Sequence, residues 1–534
     1  MRRGARGTAR AAAQARRRAR RLARRRARRS GARPRCDARR RRRLRVRAQP
    51  RRPHGPQRRA AVGAVGGRRG RRRAHRPRLR RPRRGAGGLA HDRVGVVPVR
   101  CDRPQVPPRG VRPRPRDDPR DAGRPVRRDD PTLRGEPAGW RRPLRRARLS
   151  GPVPRAYLDH ASASVLRPSA QAAMIPFLAA NPGDPGRLHA EGRTTRVAVE
   201  QAREQVAACF GARPREVVFT ATGPEAVNTA IWGAVERARA DGDRAHLVTT
   251  AVEQSAVLEA CARTGLAVTV VGVDGLGRCA AASVVEALQP DTALVSVQLA
   301  NHEVGTVQTA VPEIVAAARA HGVLVHVDAS AAAGHVPVDF GALGADLCSV
   351  DGASWGAPRG AAALLVRRGL RLPPFVVGGA QERARRAGLE DVPAIVGFGA
   401  AAAEVAEALP TEAAAARSLT DLVTAAATAV PGVVRYGDPE VRLPHLVCLG
   451  IAGVEAEPVL LGLDQRGVAV HSGSSCSSEL LEPSPVLAAM GVDAERSLRV
   501  SVGWSSTRSD VEQFAVAFPE VVGRLRALRN EESP

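Results

Sequence analysis

The stretch ALVSVQLANHEVGTVQTAVPEIVAAARAHGVLVHVDA, residues 293–329, decides the fold. ALVSVQLA (293–300) is an apolar run of strand length. PEIVAAARAHG (312–322) has apolar residues at helical spacing and closes on a glycine, and VLVHVDA (323–329) is a second apolar run. Strand, helix and strand in that order predict two parallel strands joined by a crossover helix. Both strands are rich in Val and Leu and alternate with helices, so both faces of the sheet are expected to be covered. The same rhythm extends backwards. HLVTTAV (246–252) and AVTVVGV (267–273) read as strands, and RVAVEQAREQVAACFG (196–211) and SAVLEACARTG (255–265) as helices ending in glycine. The expectation is an α/β fold with a mostly parallel sheet flanked by helices, over 155–405. Beyond that, an Ala-rich helix, VRLPHLVCLGIAG (441–453) and GVAVHSGSSCSS (467–478) suggest a smaller α/β domain over 406–534.

Charge divides the 534 residues differently. Residues 1–150 hold 55 Arg against 9 acidic residues, and the remainder holds 31 Arg against 42. The leader is Arg, Pro, Gly and Ala in irregular order, with Trp140 its one aromatic residue. It cannot bury enough apolar surface to offset the entropy of ordering, so it is expected to be disordered. Two readings stand. One is an electrostatic arm binding nucleic acid non-specifically; the other is a mis-assigned start in GC-rich DNA, which would supply these same residue types. Eight Cys lie far apart with no C-x-x-C pair, which argues against a zinc or thioredoxin-like site, and no metal site is expected. No signal-peptide core and no run of eighteen apolar residues appears, so a cytoplasmic setting without a membrane is expected. All 86 basic residues are Arg, and the chain contains no Lys. A guanidinium stays protonated and offers no lone pair to an aldehyde, so no side chain here can form an imine.

Six blocks follow one another in order: YLDHASASVLRP (157–168), NPGDPGRLHAEGR (181–193), ANHEVGTVQ (300–308), HVDASAAAGHVPVD (326–339), GGAQERARRAGLEDVPAIVGFGAA (378–401) and SGSSCSSELLEPSPVLAAMG (472–491). Together they resemble the cysteine desulfurases, a branch of the class V aminotransferases, over about residues 156–525. The resemblance implies a fold-type-I homodimer with pyridoxal phosphate between a large and a small domain. It also implies removal of sulfur from cysteine, with an enzyme persulfide passed to an acceptor protein. On this chain it places Asp328 at the pyridine nitrogen, Asn301 near the ring, Arg499 on a substrate carboxylate and Cys476 as the thiol that takes the sulfur. Plainer readings accompany three of them: a strand-end helix cap for Asp328, a turn residue for Asn301 and a structural ion pair for Arg499.

Other positions depart from the family pattern. In SVDGASWGAPRG (349–360), Ser354 falls on the Schiff-base lysine, Ala353 on a histidine and Asp351 on a phosphate-binding serine. Pro224 replaces a phosphate-binding threonine and has no N–H to give. Gln254 replaces a ring-stacking histidine, Ala331 a glutamine at the ring hydroxyl, and Leu389 a threonine that reaches the partner's phosphate. A carboxylate about 4 Å from each phosphate charge costs about 4 kcal/mol at an effective dielectric of ~20. Pyridoxal phosphate is therefore expected to be held without a covalent bond or not at all. Three roles remain open: a degenerate homologue keeping Cys476 for sulfur relay and Arg499 for a small carboxylate ligand, an active pyridoxal-phosphate-dependent desulfurase or aminotransferase, and cofactor-free chemistry at Cys476. The last needs a base, and His471, the nearest in sequence, reads more simply as an exposed strand-end histidine.

Overall fold

The computed structural model describes residues 155–242, 244–473 and 483–531. The Arg-rich leader and Cys476 lie outside the described residues. All described residues belong to one compact unit, Ala90–Pro534. A short strand β1 (Ala156–Tyr157) precedes seven strands of one sheet: β2 (Val217–Thr220), β3 (His246–Thr250), β4 (Ala267–Val271), β5 (Thr292–Gln298), β6 (Leu324–Asp328), β7 (Leu347–Asp351) and β8 (Ala362–Val366). Their order is β2-β8-β7-β6-β5-β3-β4. Strands β4, β3, β5, β6 and β7 run parallel, and β8 runs antiparallel to both β7 and β2.

Both faces of this sheet are covered, as the apolar strands require. On β5, Leu294 joins one buried cluster, with Leu247, Leu347 and Ile231, while its neighbour Val295 joins another, with Val325, Val248 and Phe398. The crossover helix Val311–Ala320 carries a proline in its first turn, and Gly322, at φ +66°, turns the chain into β6.

A second sheet of order β12-β13-β10-β9 uses β9 (Val433–Tyr436), β10 (Leu446–Ile451), β12 (His471–Ser472) and β13 (Ser497–Ser501). Strand β11 (Val468–Ala469) pairs in parallel with β1, so the start of the described chain returns to this later part. The helix Val392–Thr428 runs through residue 405, where a boundary was expected. By length and composition it could cross a membrane. Phe398, Ala401, Ala402 and Val405 are nevertheless buried in the core with Val199, Ala202 and Val206 of the helix Ala190–Cys209.

Residues Glu382, Arg383 and Ala384 hold left-handed backbone at φ 47°, 60° and 60°. Side chains with a Cβ resist this conformation, and it persists where surroundings enforce it. Here the Glu382 carboxylate is buried and accepts from Arg203 Nη1 and Nη2 at 2.7 and 2.6 Å and from the Phe219 amide at 3.0 Å.

Candidate functional site

Asp328 and Asp351 close β6 and β7 at the carboxyl edge of the sheet, where open α/β folds place their ligands. A cavity of ≈ 220 Å³ opens there, lined by Ser162, Gly223, Pro224, Gln254, His302, Ser330, Ala331, Asp351, Ala353, Ser354 and His445, among others. The structure thus gathers Pro224, Gln254, Ala331, Asp351, Ala353 and Ser354 from four separate stretches of sequence. Leu389 is exposed and does not line the cavity.

Asp351 has a definite task. Its Oδ2 accepts from the Gly223 amide at 2.8 Å and its Oδ1 from the Ala353 amide at 2.7 Å. Gly223 is the first residue of the helix Gly223–Asp241, whose Thr222 cap accepts from the Glu225 amide at 3.2 Å. A helix N-terminus carries unsatisfied N–H groups and partial positive charge, which favour an anion. Here the anion is a side chain of the protein. The approach is close: a Cβ at residue 223 would lie 3.0 Å from Asp351 Oδ2, so that side chain would have to give slightly. Pro224, in the first turn, loses nothing by lacking an N–H for the helix ladder.

Ser354 Oγ lies 3.1 Å from His335 Nε2. His335 stacks on His445, with ring centroids 3.3 Å apart. Both are buried. Burial, aided by Arg167 and His160, pushes His335 down to about 3; burial, with His335 and Arg499, holds His445 well below its ordinary value. Both rings are therefore neutral at physiological pH and supply no cation. Nothing in the local sequence singles out either histidine, which lie 110 residues apart; spatial stacking alone unites them.

Asp328 Oδ1 accepts from the Ser330 amide at 3.1 Å, Ser330 Oγ at 2.6 Å and Ser349 Oγ at 2.7 Å. Asn301 spends its side chain on backbone. Oδ1 accepts from the Glu303 and Val304 amides at 2.9 and 2.8 Å, and Nδ2 donates to Val252 O at 3.1 Å. It does not line the cavity. Arg499 is buried; its Nη2 bonds Ser162 Oγ at 2.7 Å and Asp159 Oδ1 at 3.2 Å, and Nη1 donates to His302 O at 3.1 Å. A ligand carboxylate would compete with Asp159 for the fork. His471 is half-buried rather than exposed, its Nδ1 2.7 Å from Ser472 O, and it pairs with Arg499 across β12 and β13.

The class-V aminotransferase family model matches residues 156–514. The chain belongs to the class-V aminotransferase family. This class-V chain is 37% identical over 382 residues to a cysteine desulfurase of Methanosarcina thermophila, an alignment covering 70% of this chain and 93% of the relative. It is 38% identical over 387 residues to a cysteine desulfurase of Trichormus azollae, covering 71% and 96%. A solved structure titled a NifS-like protein superimposes with TM-score 0.65 at 28% identity, covering 70% of this chain and all of that one.

The family's cofactor can be tested against this class-V chain's residues, and they do not fit it. The helix amide that would meet a phosphate is bonded to Asp351. Ser354, where the resemblance sets the lysine, is a hydroxyl 3.1 Å from the His335 imidazole, and the chain offers no amine side chain. No group of three or more metal-ligating side chains occurs among the described residues.

Proposed function

We propose that this chain is a cysteine desulfurase homologue that performs no imine chemistry with pyridoxal phosphate and acts as a binding or sulfur-relay protein through Cys476. The observation that carries the reading is Ser354 at the lysine position in a chain without lysine. Its neighbours support it: Ser354 Oγ rests on His335, and Asp351 occupies the amide a phosphate would use. An aldehyde reaching this cavity finds hydroxyls, imidazoles, the Gln254 amide and a carboxylate, none of which yields a stable imine. A homodimer belongs to the same reading. A groove lined by Tyr157, Val165, Leu166, Met174 and Pro358, with Val165 exposed, supplies apolar surface for a second copy. A cytoplasmic setting belongs to the same proposal, supported by the free Cys209, Cys261, Cys279, Cys348 and Cys448 among the described residues.

The deciding experiment treats the full chain with pyridoxal phosphate, reduces it with borohydride and maps the products, while alanine release from cysteine is followed. Neither a reduced adduct on a side chain nor alanine is expected. An adduct inside residues 155–531, or catalytic alanine release, would make the chain an active desulfurase. In parallel, a persulfide donor should load one sulfur onto the chain but none onto Cys476→Ser.

A further inference from the structure

We infer that Asp351 is an internal substitute for a ligand's phosphate, so that it is the residue closing this cavity to phosphorylated ligands. The inference deepens the reading above and rests on its assignment of the cavity. Three features converge on it. Both carboxylate oxygens of Asp351 are engaged by backbone amides: Gly223 N–H reaches Oδ2 at 2.8 Å and Ala353 N–H reaches Oδ1 at 2.7 Å. The first of these opens the nineteen-residue helix Gly223–Asp241, so the carboxylate sits on the positive end of an aligned row of peptide dipoles. Residue 223 is a glycine, and a Cβ there would crowd Oδ2 at 3.0 Å, so its lack of a side chain lets the carboxylate approach closely. Trp355 fixes the strand end from the other side, its Nε1 donating to Asp351 O at 2.7 Å.

The surroundings leave an incoming anion little to bind. Among the described lining residues there is no Arg; of the two lining imidazoles, His445 is held neutral by burial and His302 Nε2 lies 3.6 Å from Glu303 Oε1. Arg499, bonded to the lining residue Ser162, is paired with Asp159, and Arg386 is paired with Glu225 of the same helix's first turn. A phosphate entering here would have to displace Asp351 from its amides or lie beside it, and like charges at contact distance repel. The class of ligand that fits is therefore a small molecule with no phosphate, presenting hydrogen-bond donors to the remaining lone pairs of Asp351 and to Ser330 and Ser354. The specificity lies in one side chain: removing its charge while keeping its backbone should reopen the anion site.

The test compares the wild-type full chain with Asp351→Ser, using inorganic phosphate as the probe. Melting temperature is read as phosphate rises, and broadening of the phosphate phosphorus resonance reports binding directly. Asp351→Ser should melt below the wild type without phosphate, regain stability as phosphate is added, and bind it about tenfold more tightly than the wild type, as a freed set of charged-group hydrogen bonds predicts. Phosphate held by arginines elsewhere contributes equally to both proteins and cancels in the difference. Equal phosphate binding by the two proteins, or saturable stabilisation of the wild type at a site that Asp351→Ser does not strengthen, would overturn the inference. If Asp351→Ser does not fold, Asp351→Asn removes the charge with the shape retained and is read the same way. The outcome is independent of the borohydride experiment: an adduct there sinks the imine-free reading and leaves the phosphate comparison to be judged alone.

Discussion

Asp328 and Asp351 end neighbouring strands of one sheet, yet they do opposite things. Asp328 is buried and takes three donors from its own strand end and the adjacent one: the Ser330 amide, Ser330 Oγ and Ser349 Oγ. Ser349 Oγ in turn lies 3.1 Å from His326 Nε2, and His326 Nδ1 lies 2.9 Å from Ser296 Oγ. This chain of polar groups crosses β5, β6 and β7 inside the protein. Asp351 is half-buried and reaches across to a helix that begins 128 residues earlier. One carboxylate is part of the frame; the other fills a seat in the site. The comparison teaches that a strand end can keep its backbone while its side chain changes allegiance, because apolar burial of β6 and β7 holds the strands in place whatever their last residue does.

Acid should expose the frame first and produce the largest change. Burial holds His326 at about 4, against the opposing pull of Asp328, and holds His335 at about 3 and His160 at about 4. The unfolded chain binds protons on these rings below about pH 6.5, and the folded chain does not. Stability present above that pH should therefore fall as pH drops from 6.5 towards 3–4. Denaturation midpoints against pH measure this, and a flat profile over that window would remove the buried network from the account.

Replacing Asp328 by Ala removes the acceptor shared by three buried donors and should cost about 3 kcal/mol in urea unfolding. Asp351→Ala removes a cap at a helix end that water can reach and should cost about 1 kcal/mol. A larger loss at Asp351 than at Asp328 would break the comparison.

Glu253 sharpens it from below. It is buried, and burial pushes its carboxyl up to about 8, although Thr250 Oγ1 and the Gln298 amide donate to Oε1. The folded protein keeps this proton where the unfolded chain loses it, so stability declines as pH rises from about 4.5 to 8. Glu253→Gln keeps an acceptor for both donors and lacks that decline. Its advantage over the wild type should grow across the window and level off above it. The smallest effect belongs to Gly223→Ala, which crowds Asp351 Oδ2 and should lower stability by about 0.5–1 kcal/mol, unless Asp351 is also replaced.

Much of the frame was legible because buried parallel strands write themselves as Val- and Leu-rich runs. The expected strands 246–252, 293–300 and 323–329 are observed as His246–Thr250, Thr292–Gln298 and Leu324–Asp328. The positions around Ser354 were read as departures from the pattern that the resemblance supplies. The pairing of His335 with His445 was not, nor was the contact of Asp351 with Gly223. Both depend on segments more than a hundred residues apart, and neither leaves a periodicity. Arg499 was read from its motif, but its pairing with Asp159 required the fold.

Sequence by itself settled two matters: a sheet covered on both faces, from the Val- and Leu-rich character of its strands, and the lack of any amine side chain, which is a property of composition and survives every conformation. Tertiary structure alone decided where the charges rest. A carboxylate's effect depends on the few ångströms around it, and only folding set Asp351 on a helix amide and Asp328 among serines.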